Sequence, residues 1–253
     1  MAGEAGTGGP RPHRRPPGRP RPPDPGRTVL SRIAAAVVPS LGRLTVTSDH
    51  ATAPAAGSII VANHTSLADP GIVLAALLRL GVEPVVMATA GLWRIPVLGR
   101  LLEGGGHVPV HRNTHRAAGA LDAAAVALRD GRHLLIYGEG RLPCRTDAAE
   151  APPESFRSGL ARLAHASGAP VVPLGQAGAR RVTSGSGLKQ ISGLLTAPAR
   201  RPRLHVHVGA PLHLPPEVGA ATATAREAVT AAWRTAAHHL GEPAALTGRR
   251  TGE

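Results

Sequence analysis

A histidine and an aspartate five residues apart are the first residues of this chain that could do chemistry. They lie in the stretch IIVANHTSLADP, where a strand-like apolar run at 59–62 is followed by His64, and Asp69 stands directly ahead of Pro70. A neutral imidazole can take a proton near neutral pH, and a carboxylate on its other ring nitrogen fixes the tautomer. The pair is therefore a candidate general base with an orienting carboxylate.

The same spacing also fits a structural role for Asp69. Aspartate is a favoured N-cap and proline suits the first helical position, so the sequence predicts a helix that starts here. Residues five apart on one continuous helix lie about 140° apart and would not face each other. If residues 64–68 form a turn, however, the carboxylate can fold back toward the imidazole of His64, at the carboxyl end of a strand. The cap and the catalytic role are compatible.

Beyond Gly57, short β-rich runs alternate with helical patterns. This alternation predicts an α/β fold with one mixed, mostly buried sheet flanked by helices. The last helix carries a capping-box pattern at Thr224 and Glu227. Strands are predicted at 58–63, 84–88, 107–111, 132–137, 170–174 and 204–208, and helices at 71–80, 116–129, 158–166 and 225–240.

A central domain at residues 51–240 is flanked by segments of different composition. Residues 1–27 are rich in Arg and Pro and lack apolar periodicity, so they cannot repay the entropy of ordering and are predicted to be disordered. Residues 241–253 are predicted to be a flexible tail.

Residues 28–50 form the remaining segment, which is predicted to be amphipathic. Its apolar residues recur at intervals of three and four, which predicts a helical stripe interrupted near Pro39. Arg32 and Arg43 lie off the stripe, so the segment suits a membrane interface and equally suits packing against its own domain. The stripe consists of Leu30, Ile33, Val37, Leu41 and Leu44.

Charge and composition restrict the classes of partner. The net charge is +13, which suits anionic lipid surfaces and phosphorylated substrates, and nearly all of it comes from arginine. Only 2% of the residues are aromatic, so the stacking platforms of single-stranded nucleic-acid binding are nearly absent and no nucleic acid is expected. Cys144 is the single cysteine, which excludes an internal disulfide and favours an intracellular location. No apolar run approaches the roughly 20 residues that span a bilayer.

Four stretches of the chain, in the same order, resemble the blocks of the glycerolipid acyltransferases, the family of lysophosphatidic acid acyltransferases. Residues 63–69, NHTSLAD, resemble the NHxSxxD block. Residues 87–112 are similar to the second block, and YGEGRL at 137–142 resembles the third, usually written FPEGTR. Residues 156–175 resemble the stretch that ends in the fourth, Val-Pro-rich block. The resemblance covers roughly residues 55–215.

The chain departs from this pattern at five positions. Thr89 and Gly91 stand where many members carry Lys and Glu. In the third block Gly138 replaces the proline, Arg141 the threonine and Leu142 the arginine. These departures concern acceptor recognition more than the transfer chemistry.

The resemblance implies that His64 takes the proton of an acceptor hydroxyl, which attacks the thioester carbonyl of an acyl donor. Asp69 would orient His64 and stabilise the imidazolium. No protein nucleophile is needed, so the absence of a GxSxG elbow is consistent with this chemistry. Ser66 is too close to His64 along one turn to form a triad with it and is predicted to be a hydrogen-bonding turn residue.

The acceptor site is implied by the same blocks. Arg112 is a cation suited to an acceptor phosphate, since guanidinium binds phosphate through two hydrogen bonds, although a solvated arginine after a strand would look the same. Glu139 would accept hydrogen bonds, Gly140 would allow close backbone approach, and Arg141 would replace the cation missing at position 142. Asn63 completes the expected substrate-binding set.

A metal site is not expected. His107, His111 and His115 are spaced by four, but Pro109 and its flanking valines predict extended chain, which separates histidines that a helix would align.

The resemblance thus implies an acyltransferase that moves a fatty acyl group from acyl-CoA or acyl-carrier protein to a lysophospholipid. The expected acceptor is 1-acyl-sn-glycerol-3-phosphate. It would use no cofactor beyond the acyl donor as co-substrate. It would work in the cytoplasm, peripherally on the inner face of the cell membrane. Two alternatives remain at this level: a relative that acylates another lipid hydroxyl, and a non-catalytic, basic membrane-binding protein of the same fold.

Overall fold

The computed structural model describes residues 29–111, 117–142 and 149–242. The predicted tail at 1–27 and nearly all of the predicted tail at 241–253 lie outside these ranges. Short 3-10 turns occupy Ala90–Arg94 and Ala179–Arg181. The helices are α1 Val29–Leu41, α2 Asp69–Arg79, α3 Pro96–Gly104, α4 Ala117–Arg129, α5 Gly159–Ser167, α6 Gly187–Arg200 and α7 Val218–His239. The strands are β1 Arg43–Ser48, β2 Ile59–Ala62, β3 Val85–Thr89, β4 Val108–Val110, β5 Leu134–Tyr137, β6 Val171–Ala177 and β7 Arg203–Val208.

Within the described residues, the strands form one seven-stranded sheet in the order β1-β7-β6-β2-β5-β3-β4. Neighbouring strands are parallel except β6 and β7, which pair antiparallel. The prediction of an α/β fold with one mixed, mostly buried sheet is therefore confirmed. Since β2 lies between β5 and β6 and is parallel to both, the carboxyl ends of these three strands meet at one edge of the sheet.

Helices cover both faces of the sheet, which explains why the central strands read as continuous apolar runs. In β2, Ile60 and Ala62 pack toward the layer that contains α1, α2 and α6. Ile59 and Val61 pack on the opposite face, against α4, α5 and α7. All four residues are fully buried, so β2 holds the segment that follows it at a fixed position.

One predicted helix is shorter than its pattern indicated. The stripe over residues 29–46 is helical only as far as Leu41, and Pro39 lies within the last turn of α1 instead of interrupting the helix. From Arg43 the chain is the edge strand β1, paired with β7 in register from Arg43 opposite Arg203. Leu44 is buried in the core, so its contribution to the helical periodicity was fortuitous.

The remaining differences lie at helix starts and at two helices that the sequence did not indicate. α7 begins at Val218 instead of near Ala225, and the Glu217 carboxylate accepts hydrogen bonds from the N–H groups of Gly219 and Ala220. The capping-box prediction at residue 224 was therefore wrong. Neither α3 nor α6 was predicted.

Gly175 in β6 generates a stability prediction. A Cβ at this position would lie 2.0 Å from the backbone nitrogen of Trp233 in α7, because the helix crosses the strand at that residue. Gly175→Ala should therefore lower the free energy of unfolding by about 1–3 kcal/mol or more through overpacking. Urea denaturation followed by circular dichroism measures the change.

Gly119→Ala is the matched control for this substitution. Gly119 lies in α4, and no heavy atom stands within 4 Å of the position that a Cβ would take there. Alanine there should raise helix stability by roughly 0.5–1 kcal/mol. Equal effects of the two substitutions would contradict the close crossing of α7 over β6.

Candidate active site

His64 and Asp69 are brought together by a turn that follows β2. His64 Nδ1 lies 2.9 Å from Asp69 Oδ2. Because a carboxylate only accepts, this hydrogen bond assigns the ring proton to Nδ1 and leaves the lone pair on Nε2. The histidine side chain is 16% exposed, whereas that of Asp69 is completely buried. The ring can therefore meet a ligand while its partner remains inside the protein.

Asp69 does not cap α2, contrary to one of the two roles predicted for it. Ala68 occupies the N-cap position and makes no side-chain cap hydrogen bond. The Asp69 carboxylate instead accepts hydrogen bonds from the backbone N–H groups of Thr65 and Ser66, the second at 2.8 Å. One carboxylate thus closes the turn and orients the imidazole, which is the alternative that the sequence left open.

Tyr137, the last residue of β5, packs against the ring of His64. The two ring centroids are 4.3 Å apart and the ring planes differ by 27°. The Tyr137 hydroxyl is buried and has no hydrogen-bond partner within the described residues. Burial, together with the charges of Asp69 and Glu139, raises the tyrosine pKa well above its usual value, so the hydroxyl stays protonated. No sequence pattern indicated this contact, although Tyr137 is opposite Ala62 in the parallel register.

Glu139 connects the third block to the histidine. Its Oε2 accepts a hydrogen bond of 2.6 Å from the backbone N–H of His64, and its Oε1 accepts one of 3.1 Å from that of Glu154. The residue is 3% exposed. Desolvation raises the pKa of the carboxyl to about 8, against the opposing effect of the two hydrogen bonds. Both oxygens of Glu139 thus bond to the protein, and one of them positions His64. That Glu139 also lines the acceptor site stays a prediction.

Asn63 bonds to a neighbouring strand, and its contact with substrate stays a prediction. It is fully buried. Its amide nitrogen donates to the carbonyl of Gln176 at 3.0 Å, and its amide oxygen accepts from the Gln176 N–H at 2.8 Å. The side chain therefore imitates a strand partner and ties the end of β2 to β6.

Residues after β6 support the other side of the turn. Ser66 Oγ donates to the carbonyl of Thr183 at 2.9 Å, and Ser66 accepts from the N–H of Ala68, so its predicted role as a turn residue is confirmed. The buried guanidinium of Arg180 donates to the carbonyl of Thr65 at 3.1 Å. Neither Arg180 nor Thr183 could be selected from the sequence, because their contacts join segments more than 100 residues apart.

The other predicted acceptor residues have different outcomes. Arg112 lies outside the described residues. Arg141 is exposed, and its guanidinium lies 3.7 Å from the Glu154 carboxylate, an ion pair that solvent weakens. Gly140 has a φ of +68°, so its backbone conformation requires glycine whether or not a substrate approaches.

The departure at Gly138 has a local explanation. A Cβ at this position would lie 2.3 Å from the ring of Phe156. The aromatic ring thus occupies the space that the proline of the usual block would fill.

Of the three histidines spaced by four, His107 and His111 do not lie on a common helix, and His115 lies outside the described residues. His107 Nδ1 accepts the N–H of Val86 at 3.0 Å, and burial lowers the pKa of His107 to about 4. Residues 108–110 form β4, as the extended prediction requires. In the part of the chain that the structure describes, no three His, Cys, Asp or Glu residues are grouped to hold a metal ion.

Comparisons with known proteins identify a family and a similar fold. The model of a family described as Acyltransferase matches residues 43–176. The fold is similar to the crystal structure of the 1-acyl-sn-glycerophosphate (LPA) acyltransferase PlsC from Thermotoga maritima, with a TM-score of 0.62 and 18% sequence identity, over 83% of this chain and 78% of that one. No curated protein gives a significant match.

The pKa of Glu139 generates a prediction about pH and stability. The folded state holds this proton more tightly than the unfolded chain does, so the contribution to stability is present below pH 4.5 and is lost as the pH rises toward 8. The loss should be at most about 1.4 kcal/mol per pH unit. Glu139→Gln should flatten that dependence while lowering stability at acidic pH, because only one atom of the amide accepts hydrogen bonds.

Urea denaturation across this pH interval measures the effect as the difference between variant and wild type, which removes the contributions of other titrating groups. Glu103→Gln, at an exposed position of α3, is the control and should leave the profile unchanged. A pH profile of Glu139→Gln parallel to that of the wild type would contradict the raised pKa.

Proposed function

The chain belongs to the Acyltransferase family, whose model covers more than half of it, and on this premise we propose that it acylates the hydroxyl of a lysophospholipid. The acceptor is 1-acyl-sn-glycerol-3-phosphate, the donor is a fatty acyl thioester of CoA or of acyl-carrier protein, and the product is phosphatidic acid. The hydrogen bond between His64 and Asp69 carries the proposal, because it leaves Nε2 of a partly exposed imidazole as the proton acceptor.

In the proposed reaction, Nε2 of His64 takes the proton of the acceptor hydroxyl as its oxygen attacks the thioester carbonyl. A C–O bond forms, and the carbonyl becomes a tetrahedral oxyanion. Collapse of this intermediate breaks the C–S bond, and the imidazolium returns the proton to the leaving thiolate. Asp69 stabilises the imidazolium between these two steps. No covalent acyl-protein intermediate is needed.

Acceptor recognition in this proposal rests on cations near the third block. Arg141 is 62% exposed at its side chain, so its guanidinium can exchange the exposed carboxylate of Glu154 for a substrate phosphate. Arg112 is proposed as a second phosphate ligand from its place in the second block.

The proposed place of work is the inner surface of the cell membrane, where a single-chain lipid acceptor resides. In α1, Ser31, Ala34 and Val38 are buried against the domain, whereas Ile33 and Val37 are 43% and 46% exposed. One helix face thus serves packing and another is available to an interface. No described helix is long and apolar enough to cross a bilayer.

His64→Ala tests the catalytic proposal. Loss of the general base should lower turnover by about 10²–10⁴-fold. Purified protein would be incubated with labelled acyl-CoA, or in parallel with acyl-carrier protein, and a panel of lysolipids, and the products identified by lipid mass spectrometry.

The control is His165→Ala. His165 lies in α5, on the face of the sheet opposite α1, α2 and α6. Its ring contacts the carbonyl of Pro215 at 2.8 Å. This variant should transfer acyl groups at the wild-type rate. Acyl transfer by His64→Ala at the wild-type rate would contradict the proposed mechanism. Acyl transfer by the wild type only to other lipid alcohols would contradict the proposed acceptor.

A further inference from the structure

α6 presents three different faces, each formed by residues spaced by three and four. Gln190, Gly193 and Ala197 face the domain, and Ala197 is fully buried. A Cβ at Gly193 would lie 2.5 Å from the carbonyl oxygen of Val182, so the helix lies close against the segment that follows β6. This contact fixes the orientation of the other two faces.

The second face is polar and cationic. It borders an open cavity of about 470 Å³ between α6 and residues 180–184. This cavity adjoins the turn of His64, because Arg180 contributes to its wall and also binds the carbonyl of Thr65. The residues of this face are Lys189, Ser192, Thr196 and Arg200.

The third face, which we call the apolar stripe, is unpartnered within the described residues. Leu188 and Leu195 are 79% and 75% exposed, and Ile191 and Leu194 are 59% and 43% exposed. Four large aliphatic side chains in water on one helix are unusual in a surface that serves no contact. The apolar stripe therefore indicates an occupant that shields it.

Other exposed apolar side chains lie near the same surface. Ten large apolar residues are exposed in the described part of the chain, and nine belong to α1, α6, the start of α3 or the turn after His64. These elements are in contact: α1 packs against both α3 and α6, and Ser66 of the turn bonds to Thr183. The tenth residue, Val126, lies in α4 on the opposite face. The nine are Ile33, Val37, Leu67, Ile95, Val97 and the apolar stripe.

Charge selects the kind of occupant. Residues 178–204 contain six arginines and lysines and no Asp or Glu. Of these six, Arg181 pairs with Glu242, and Arg203 binds the end of α7 on the opposite face of the sheet. Arg200 donates to Thr196 and to the backbone carbonyls of Arg181 and Gly193, which leaves its charge unneutralised. A second copy of this chain docked on the same face would bring like charges together, whereas an anionic lipid surface would complement them.

We propose that α6 is a membrane-docking helix that lies in the interface of an anionic bilayer. Its apolar stripe enters the boundary between headgroups and acyl chains, and Lys189 and the neighbouring arginines contact the phosphates. The inference rests on the proposed function in one respect: docking through α6 places the turn of His64 at the surface that supplies the lipid acceptor.

The first test substitutes Leu188→Gln and Leu195→Gln together. Glutamine keeps helix propensity, and both positions are exposed, so the variant should fold with an unchanged thermal midpoint. Its partition onto phosphatidylcholine vesicles containing phosphatidylglycerol, measured by sedimentation, should weaken by roughly tenfold or more. Val126→Gln is the matched control and should partition like the wild type.

The second test reports insertion directly. Cys144 is the single cysteine, so a Cys144→Ser chain with Leu195→Cys carries one environment-sensitive fluorophore on the apolar stripe. The fluorophore should shift to the blue on anionic vesicles and be quenched by lipids labelled in the acyl chain. The same label at Val126→Cys should remain in water.

Three results would overturn the proposal: no partition of the wild type, unchanged partition of the double glutamine variant, or a label at position 195 that stays in water on bound protein. A wild-type dimer that is lost in the double glutamine variant would also overturn the proposal and would assign the apolar stripe to contact with a second copy. Vesicle binding requires no turnover, so His64→Ala should bind like the wild type. Failure of docking and failure of acyl transfer are thereby distinguished.

Discussion

The buried carboxylate of Asp69 is the interaction on which the site depends. A charge in the protein interior is costly unless hydrogen bonds compensate it, and here the compensation comes from the turn itself. The ring of His64 and the N–H groups of Thr65 and Ser66 all converge on one oxygen, Oδ2. The hydrogen bonds that stabilise this carboxylate thus hold the backbone turn and orient the imidazole.

The sheet supplies the rest of the positioning. β5 and β6 flank β2 in parallel, so the segments that follow them reach the same turn from two sides. Glu139 holds the backbone nitrogen of His64 after β5, while the backbone of Gln176 holds Asn63 at the end of β6. The polar side chains of Asn63 and Glu139 therefore form their hydrogen bonds within the protein. One edge of the His64 imidazole remains exposed.

What the sequence could predict was decided by the range of the interactions. His64 and Asp69 were found because their contact spans five residues, and β2 because an apolar run buried on both faces is a local pattern. Asn63 and Glu139 were selected as residue types, but their partners within the protein were not predicted, since the strand that Asn63 binds lies 113 residues away. β1 was read as helix because Leu44 continued a helical spacing, whereas its pairing with β7 is tertiary. The stacking of Tyr137 likewise required knowledge of strand order.

The junction at Gly42 has a mechanical consequence. Gly42 joins α1 to β1, and Pro202 lies between α6 and β7; the N–H of Arg43 donates to the Pro202 carbonyl at 2.9 Å. A Cβ at Gly42 would lie 2.7 Å from that carbonyl oxygen, so the two connections are pressed together. A force on either helix is therefore delivered to the same pair of strands, the edge strand β1 and its neighbour β7.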